Sequence, residues 1–303
     1  MEVLKNIIHK EIGSLPHSVK RIGGGYYADV YKFDYQNSEP IIVKVYKSAG
    51  VMQSEISQIE LLGRHSLFPM PKVLFSHLAN KEYDKDFIIM NYLEGENGGN
   101  IFYLSKAKRE RLANQVIDNL IAFHSVKSPD GFGEVGSKKR YEVWNEYYKE
   151  KAATILDMAL QLKNKGELSE YAYNIMQKAV TQFDKIFYLP ITEACLIHGD
   201  YNMWNIMVNK QRCKVTAVID PCGCMWADSE YDLYQLNNAN GKHLHLFEVY
   251  ARKKQLSENC LEKMAFYELF TEIEHYYKSG HPIKNMLVKK QTDKLNYYME
   301  KLL

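Results

Sequence analysis

One stretch of the sequence, residues 195–220, constrains the fold more than any other. Two short apolar runs flank a polar turn at 209–214, and this arrangement predicts an antiparallel hairpin. Since antiparallel partners keep a constant sum of residue numbers when no bulge intervenes, Ile206 is expected opposite Ile219. The fold must therefore hold a short β-hairpin inside a part of the chain whose pattern is otherwise helical.

Polar residues lie just outside this hairpin. Asn205 and Asp220 are expected to meet at its open end, with Asp200 upstream on the incoming loop. A carboxylate and an amide oxygen at one point suit Mg²⁺, which binds through few protein oxygens together with substrate phosphates. The spacing His-x-Asp-x-x-x-x-Asn over 198–205, followed by an Asp after an apolar strand, supplies a proton acceptor and two metal anchors, as phosphoryl transfer requires. Because Asn and Asp also favour turns, any one of these residues alone could simply satisfy turn backbone.

The first ninety or so residues carry short β-branched runs separated by turn residues, which predict a small antiparallel sheet. The runs lie at 21–25, 29–33, 41–46 and 87–92. One helical stretch interrupts them at about 51–64, where apolar residues recur at helical spacing. This is close to the pattern of a five-stranded sheet with one helix.

A polar, glycine-rich break at 95–99 separates this region from a mostly helical remainder. Helices are predicted at about 104–126, 144–163 and 168–187, with several more from residue 235 onward. We place the boundary between two lobes near residue 94. The N-lobe is then 1–94 and the C-lobe is 95–303.

Lys44 lies in the middle of the predicted strand at 41–46, on the face opposite to its apolar neighbours. Either it has an anionic partner, or it is a solvated lysine on an exposed sheet face. In the helix that follows, Glu55 falls within the apolar stripe and Glu60 toward its edge. Because a carboxylate on an apolar face needs a cationic partner, we predict an ion pair between Lys44 and Glu55 that orients a phosphate-binding lysine. Glu60 is the second choice.

Three consecutive glycines, Gly23, Gly24 and Gly25, precede the strand of Lys44. Backbone N–H groups without side chains let phosphate approach closely. The run matches neither the Walker pattern nor Gly-x-Gly-x-x-Gly, and glycine also serves the geometry of many hairpin turns. Its position before Lys44 favours a phosphate-binding turn.

Composition argues against several classes of protein. Lys and Arg total 39 against 37 Asp and Glu, and a formal charge of +2 is too small to indicate nucleic acid as a partner. No apolar run approaches the length of a membrane span and the first residues do not read as a signal peptide, so we expect no membrane partner and a cytoplasmic location. Five cysteines without a Cys-x-x-Cys pair indicate neither a disulfide framework nor a zinc site.

The motif over 198–205, with Asp220-Pro221 after the hairpin, resembles that of the aminoglycoside-phosphotransferase and protein-kinase-like superfamily. The resemblance implies an α+β, bilobal protein-kinase-like fold. A small antiparallel sheet with one helix would form the nucleotide-binding N-lobe, and a larger, mainly helical C-lobe would carry the catalytic hairpin, the metal site and the acceptor pocket. By this resemblance Asp200 is the catalytic base, Asn205 and Asp220 bind Mg²⁺, ATP is the phosphoryl donor, and a hydroxyl of a small molecule is the acceptor.

The same resemblance assigns further residues. The segment that ends the first region looks like the hinge between the lobes, where backbone groups of Asn91, Tyr92 and Leu93 would bind adenine. Asp232, and Glu230 beside it, would anchor the catalytic loop through hydrogen bonds. These last two residues would therefore have structural roles.

The acceptor and some alternatives stay open. Segments at 128–133, 144–148 and 228–233 resemble fructosamine and ketosamine kinases, so sugar amines, aminoglycosides and similar compounds are all candidates. Glu268, Glu272 and Glu274 could receive a polycationic sugar, or form a solvated helix face. A catalytically inactive, nucleotide-binding scaffold is a different function with the same fold. A protein kinase is disfavoured because no Ala-Pro-Glu segment follows Asp220, and the oligomeric state is not predicted.

Overall fold

An antiparallel five-stranded sheet forms the N-terminal part of the computed structural model, which describes residues 1–25 and 27–302. Its strands are β1 (Ser18–Gly24), β2 (Ala28–Asp34), β3 (Ile41–Tyr46), β4 (Val73–His77) and β5 (Phe87–Asn91). They pair in the order β1-β2-β3-β5-β4. Ile41, Val43 and Val45 of the central strand β3 are buried on one face, as the period of a strand requires. The predicted small antiparallel sheet is confirmed.

Two helices accompany this sheet, α1 (Glu2–Ile12) and α2 (Val51–Gly63). Helix α2 was predicted, and the residues whose spacing indicated it are buried. Helix α1 was not predicted. It buries Leu4, Ile7 and Ile8 in one cluster with Phe33 and Val43 of the sheet. An isolated helix of 11 residues is only marginally stable in water. The stability of α1 therefore depends on its packing against the sheet, which cannot be read from neighbouring residues in the sequence.

The remainder of the chain is mainly helical. Its helices are α3 (Lys106–His124), α4 (Trp144–Asn164), α5 (Glu170–Thr181), α6 (Phe183–Ile186), α7 (Leu246–Lys253), α8 (Cys260–Ser279) and α9 (Asn285–Lys301). The single helix predicted at 168–187 is divided into α5 and α6, because Gln182 leaves the helical conformation between them. Trp144, Tyr148 and Phe266 are fully buried in the core of this part. Within the described residues, none of the helices has both the length and the apolarity that a membrane span requires.

Six short strands form two small sheets among these helices. They are β6 (Glu96–Asn97), β7 (Gly133–Glu134), β8 (Cys195–Ile197), β9 (Ile206–Asn209), β10 (Lys214–Val218) and β11 (Met225–Ala227). The sheets have the orders β10-β9-β6 and β7-β11-β8. Between the last strand of the large sheet and the first strand of the next, residues 92–95 contain the predicted lobe boundary, which stays an interpretation.

The predicted hairpin is β9 with β10, but its register was wrong by one residue. Ile206 pairs with Val218 instead of Ile219. The register shifts between Val215 and Ala217, where one extra residue is accommodated. Next to the turn, Asn209 pairs with Lys214, and continuing that pairing without a bulge would place Ile206 opposite Ala217. The error therefore lies in where the turn closes, and the bulge reduces it by one residue.

Replacing Ile8 by Ala tests the docking of α1. Ile8 is fully buried, so its truncation should lower the free energy of unfolding by about 2–5 kcal/mol. Val3 lies on the same helix but is exposed, and Val3→Ala should change that free energy by less than about 0.5 kcal/mol. Urea denaturation followed by circular dichroism measures both variants. Equal effects of the two variants would contradict the docked position of α1.

Candidate active site

Lys44 is the cation around which the candidate site is built. Its side chain is 12% exposed, and its Nζ lies 2.7 Å from Glu55 Oε1 and 2.6 Å from Asp220 Oδ1. Burial alone would lower the pKa of Lys44, but the carboxylates of Asp220 and Glu55 reverse this and raise the pKa above its ordinary value. The predicted ion pair with Glu55 is present, whereas Glu60 is exposed. Lys44 therefore stays charged and joins β3 to α2 and to the end of the distant hairpin.

Asp220 reaches Lys44 because of the backbone at the end of the hairpin. Its φ is 55°, in the left-handed region that Asp and Asn tolerate better than most residues. The preceding Ile219 donates its N–H to the carbonyl of Asn205 at 2.9 Å, which brings the two ends of the hairpin together. The Asp220 side chain is 54% exposed. Its carboxylate can therefore face both Lys44 and a ligand.

The carboxylate of Asp200 is held by two amides. Asn202 Nδ2 donates to Oδ1 at 2.6 Å, and Asn205 Nδ2 donates to Oδ2 at 2.8 Å. Burial raises the pKa of Asp200 to about 6, against the effect of the hydrogen bonds from Asn205 and Asn202. A carboxylate with a fixed orientation and a pKa near neutrality suits a general base.

Asn205 and Asp220 provide donors that fit Mg²⁺. The amide nitrogen of Asn205 is bound to the carbonyl and the carboxylate of Asp200, at 2.9 and 2.8 Å. The oxygen of the same amide is therefore the end that can face a cation. Together with the half-exposed carboxylate of Asp220 it forms a small set of hard oxygen donors, which Mg²⁺ prefers.

The backbone of the loop before Asp200 is anchored by Asp232. The N–H groups of His198 and Gly199 donate to its two carboxylate oxygens at 2.9 and 2.8 Å. Asp232 also lies 3.4 Å from the Nε2 atom of His124, whose Nδ1 atom is 2.9 Å from the hydroxyl of Tyr250. The hydrogen bonds predicted for Asp232 are present, and a second layer of buried polar groups holds it in turn.

Glu230 does not share this role, which corrects the sequence interpretation. It accepts hydrogen bonds from the N–H and the hydroxyl of Ser257, both at 2.6 Å. Lys263 lies 2.8 Å from Glu230 and 2.8 Å from Asp228. Glu230 therefore anchors the segment before α8, because the turn that presents Asp232 inward directs Glu230 to a different neighbour.

The glycine turn lies near Lys44 at the end of the β1–β2 pair. Gly23 pairs with Val30, which pairs with Lys44, so two strand spacings, about 10 Å, separate Gly23 from Lys44. Gly24 has a φ of 141°, which favours glycine. Gly25 donates its N–H across the turn at 2.9 Å. The N–H of Gly25 thus serves the turn, and the phosphate-binding assignment of the three glycines stays a prediction.

The predicted hinge is only partly available to a ligand. Asn91 donates its N–H to the carbonyl of Lys72 at 3.3 Å and accepts the N–H of Lys72 on its side chain at 2.7 Å. Lys32 lies over the ring of Tyr92, with Nζ 4.5 Å from its centre. Since the N–H of Asn91 is committed, the backbone groups that follow it, in Tyr92 and Leu93, are the remaining candidates for an adenine contact.

Sequence reasoning missed Asn202. This residue accepts the N–H of Trp204 at 2.9 Å while its amide nitrogen binds Asp200, so one side chain shapes the turn and orients the carboxylate. The spacing Asp-x-Asn in a loop is a signal for such a local hydrogen bond. It does not show which carboxylate oxygen the amide will meet.

Two of the acidic residues considered for a polycationic acceptor already have partners. Glu274 lies 3.1 Å from Lys151 and 2.5 Å from Lys278. Glu268 lies 2.8 Å from Lys294. Each lysine neutralises the negative charge that would attract a polycation. The pairings therefore indicate a structural role for Glu268 and Glu274.

Solved structures of phosphotransferases share the fold of this chain. The structure of a putative fructosamine-3-kinase from Haemophilus somnus matches with a TM-score of 0.71 and 15% identity, covering 96% of each chain. The GDP complex of aminoglycoside 2'-phosphotransferase-IIIa matches with a TM-score of 0.69 and 15% identity, covering 99% of this chain and 98% of that one. These similarities establish the fold.

The sequence shows the family to which the chain belongs. Residues 18–267 match the phosphotransferase enzyme family, APH, and the chain belongs to that family. The uncharacterized protein YcbJ from Escherichia coli K12 is 20% identical over 246 residues, which cover 80% of this chain and 81% of that protein. The family predicted from the motif over 198–205 is confirmed.

The environment of Asp200 predicts how its carboxyl group titrates. In ¹³C NMR of protein labelled at Asp carboxyl carbons, a resonance absent from Asp200→Asn should titrate with a pKa of about 6. Asn202→Ala removes a hydrogen bond that stabilises the charged form, so it should raise this pKa further. Asn296→Ala is the matched control, since it removes an amide bound to an exposed carboxylate, Glu300, on α9. An unchanged pKa in Asn202→Ala would contradict the role of this amide.

Proposed function

We propose that this chain is a kinase that uses ATP and Mg²⁺ and transfers the γ-phosphoryl group to a hydroxyl of a small molecule. The observation that carries the proposal is the 2.6 Å contact between Lys44 and Asp220, which are 176 positions apart. It brings a cation suited to phosphate next to a carboxylate suited to a metal. Asp200, a candidate base, is close enough to Asp220 for that charge to raise its pKa.

The nucleotide would lie along the sheet and the hinge. Lys44, oriented by Glu55, would bind the α- and β-phosphates, and the turn formed by Gly23, Gly24 and Gly25 would cover them. Backbone groups of Tyr92 and Leu93 would contact adenine. Asn205 and Asp220 would hold Mg²⁺, which when bound neutralises charge on the phosphates.

Asp200 would act on the acceptor. Its carboxylate accepts the proton of the acceptor hydroxyl, while the hydroxyl oxygen forms a bond to the γ-phosphorus and the bond to the β–γ bridging oxygen breaks, releasing ADP. The amides of Asn202 and Asn205 hold the carboxylate in one orientation during this transfer. Because the pKa of Asp200 is about 6, the base is ionised above that pH and transfer should weaken as the pH falls below it.

The short connection after Asp220 favours a small acceptor over a protein. Strand β11 begins at Met225 and pairs with β8, so residues 221–224 are all that separates Asp220 from the next strand. An activation segment of the kind that docks a protein substrate does not fit into four residues. Sugar amines and aminoglycosides are the acceptor classes that the fold neighbours support, and the cytoplasm is the expected location.

Asp200→Asn tests the catalytic base. ADP release from ATP is measured with Mg²⁺ and a panel of fructosamines, ribulosamines, aminoglycosides, choline and simple amino sugars. The variant should lower acceptor-stimulated release about 10²- to 10⁴-fold, because amide nitrogen accepts no proton, while MgADP binding by calorimetry should persist. Asp157→Asn, at an exposed position on α4, is the control and should match the wild type. Near-normal release in Asp200→Asn would remove the base assignment, and MgADP binding without release for any acceptor in the wild type would favour the inactive scaffold.

Asp220→Asn tests the metal site without disturbing the backbone. Asn tolerates the left-handed φ of 55° at this position, so the variant should fold while losing the charge. Calorimetry with and without Mg²⁺ should show that the metal increases ADP affinity in the wild type and does so at least tenfold less in the variant. The same Mg²⁺ dependence in both proteins would exclude Asp220 from the metal site.

A further inference from the structure

Trp204 is an exposed tryptophan on the catalytic loop. It lies in the 3₁₀ turn Met203–Asn205, after the base candidate Asp200 and next to the metal-ligand candidate Asn205, and 48% of it is exposed. Of the other tryptophans, Trp144 is fully buried and Trp226 is partly buried. Indole surface left in water forgoes the free energy that its burial would supply. Single exposed apolar side chains are common on protein surfaces, but this indole lies beside the candidate base and the candidate metal ligand.

The backbone beneath Trp204 is shaped to hold it. A Cβ atom on Gly99 would lie 2.5–2.7 Å from three carbons of the indole, so only glycine allows the ring to rest on this segment. On Gly98 a Cβ atom would lie 2.5 Å from the Met203 side chain. Asn97 donates its amide to the carbonyl of Trp204. One face of the indole is thus fixed against the protein, and the rest of the ring faces solvent.

Under the proposed function, the position of Trp204 between Asp200 and Asn205 assigns it to the acceptor side of the site. The hinge and Lys44 are assigned to the nucleotide, which leaves the turn between Asp200 and Asn205 beside the group that receives the phosphoryl. Glu268 and Glu274 are paired with lysines. These two carboxylates on α8 are therefore poor candidates for recognition of the acceptor, whereas a rigid aromatic face beside Asp200 can contribute to it.

We infer that Trp204 is a specificity-determining residue that stacks on a ring of the acceptor, an inference that rests on the proposed function. A six-membered ring, either a pyranose or an aromatic ring, presents a flat face that an indole binds by dispersion and by its polarised π system. An amine on that ring adds a cation–π attraction. The acceptor class is then a ring-bearing hydroxyl compound, as opposed to an open-chain alcohol.

Steady-state kinetics with Trp204→Ala and Trp204→Phe tests this inference. The acceptors are kanamycin and fructosyl-lysine, which contain sugar rings, p-hydroxymethyl-benzylamine, which contains an aromatic ring, and choline, which contains none. In Trp204→Ala the KM of a ring-bearing acceptor should rise at least tenfold more than the KM of ATP, and Trp204→Phe should recover most of that loss. Tyr297→Ala removes a half-exposed aromatic ring on α9 and should leave both KM values unchanged.

Iodide quenching of tryptophan fluorescence provides a readout that does not need turnover. Iodide reaches exposed indoles, so most of the quenching should disappear in Trp204→Phe and persist in Trp226→Phe. A ring-bearing compound should protect Trp204 in the wild type, and MgADP alone should not. Protection by MgADP alone, or by none of the ring-bearing compounds, overturns the inference.

The two measurements separate this inference from the proposed function. Acceptor-stimulated ADP release with the same KM in wild type and Trp204→Ala rejects the stacking role and leaves the kinase. Protection of Trp204 by a ring-bearing compound, without ADP release for any acceptor, shows ring binding by Trp204 and favours the inactive scaffold over the kinase.

Discussion

The charge of Lys44 is the constraint on which the candidate site depends. A lysine this far from water needs compensation, and leaving such a charge unpaired costs about 3–5 kcal/mol. Glu55 supplies one carboxylate from α2, and Asp220 supplies another from the end of the β9–β10 hairpin. One ammonium group on β3 therefore contacts both helix α2 and the end of the β9–β10 hairpin. The same group is the one that would meet the phosphates of a nucleotide.

The loop that carries Asp200 is held both by hydrogen bonds to its backbone and by the buried side chains of Tyr201 and Met203. Asp232 accepts two successive N–H groups from the start of the loop, and His124 lies behind Asp232. These contacts fix the path of the backbone between the end of strand β8 and Asp200. Asn202 and Asn205 then fix which way its carboxylate faces. Buried polar groups that are satisfied in this way define one arrangement of the loop, since each alternative would leave a donor or an acceptor without a partner.

Local pattern was sufficient for some elements and insufficient for others. Strand β3 alternates cleanly between apolar and polar residues, and its bounds match the prediction at both ends. The stripe of α2 placed Glu55 on the inner face, where the structure has it. Helix α1 was missed because its stability comes from contact with the sheet. The hairpin register was wrong because the strands begin to pair at Asn209 and Lys214, and the residues at which a turn closes depend on how the two strands meet.

The sequence by itself determined the fold class, the family and the set of residues from which a phosphoryl-transfer site could be made. Periodicity shows which side of a strand or helix is buried, and the spacing of the motif over 198–205 indicates a loop with residues suited to phosphoryl transfer. Both can be read from neighbouring residues. Only the tertiary structure decided that Lys44 contacts Asp220 and that Asn202 binds the carboxylate of Asp200. It also decided that Glu230 and Asp232 anchor different segments, and that the exposed indole of Trp204 packs on Gly99. Each of these contacts joins side chains whose distance is set by the packing of whole elements, and no local rule of the chain contains that distance.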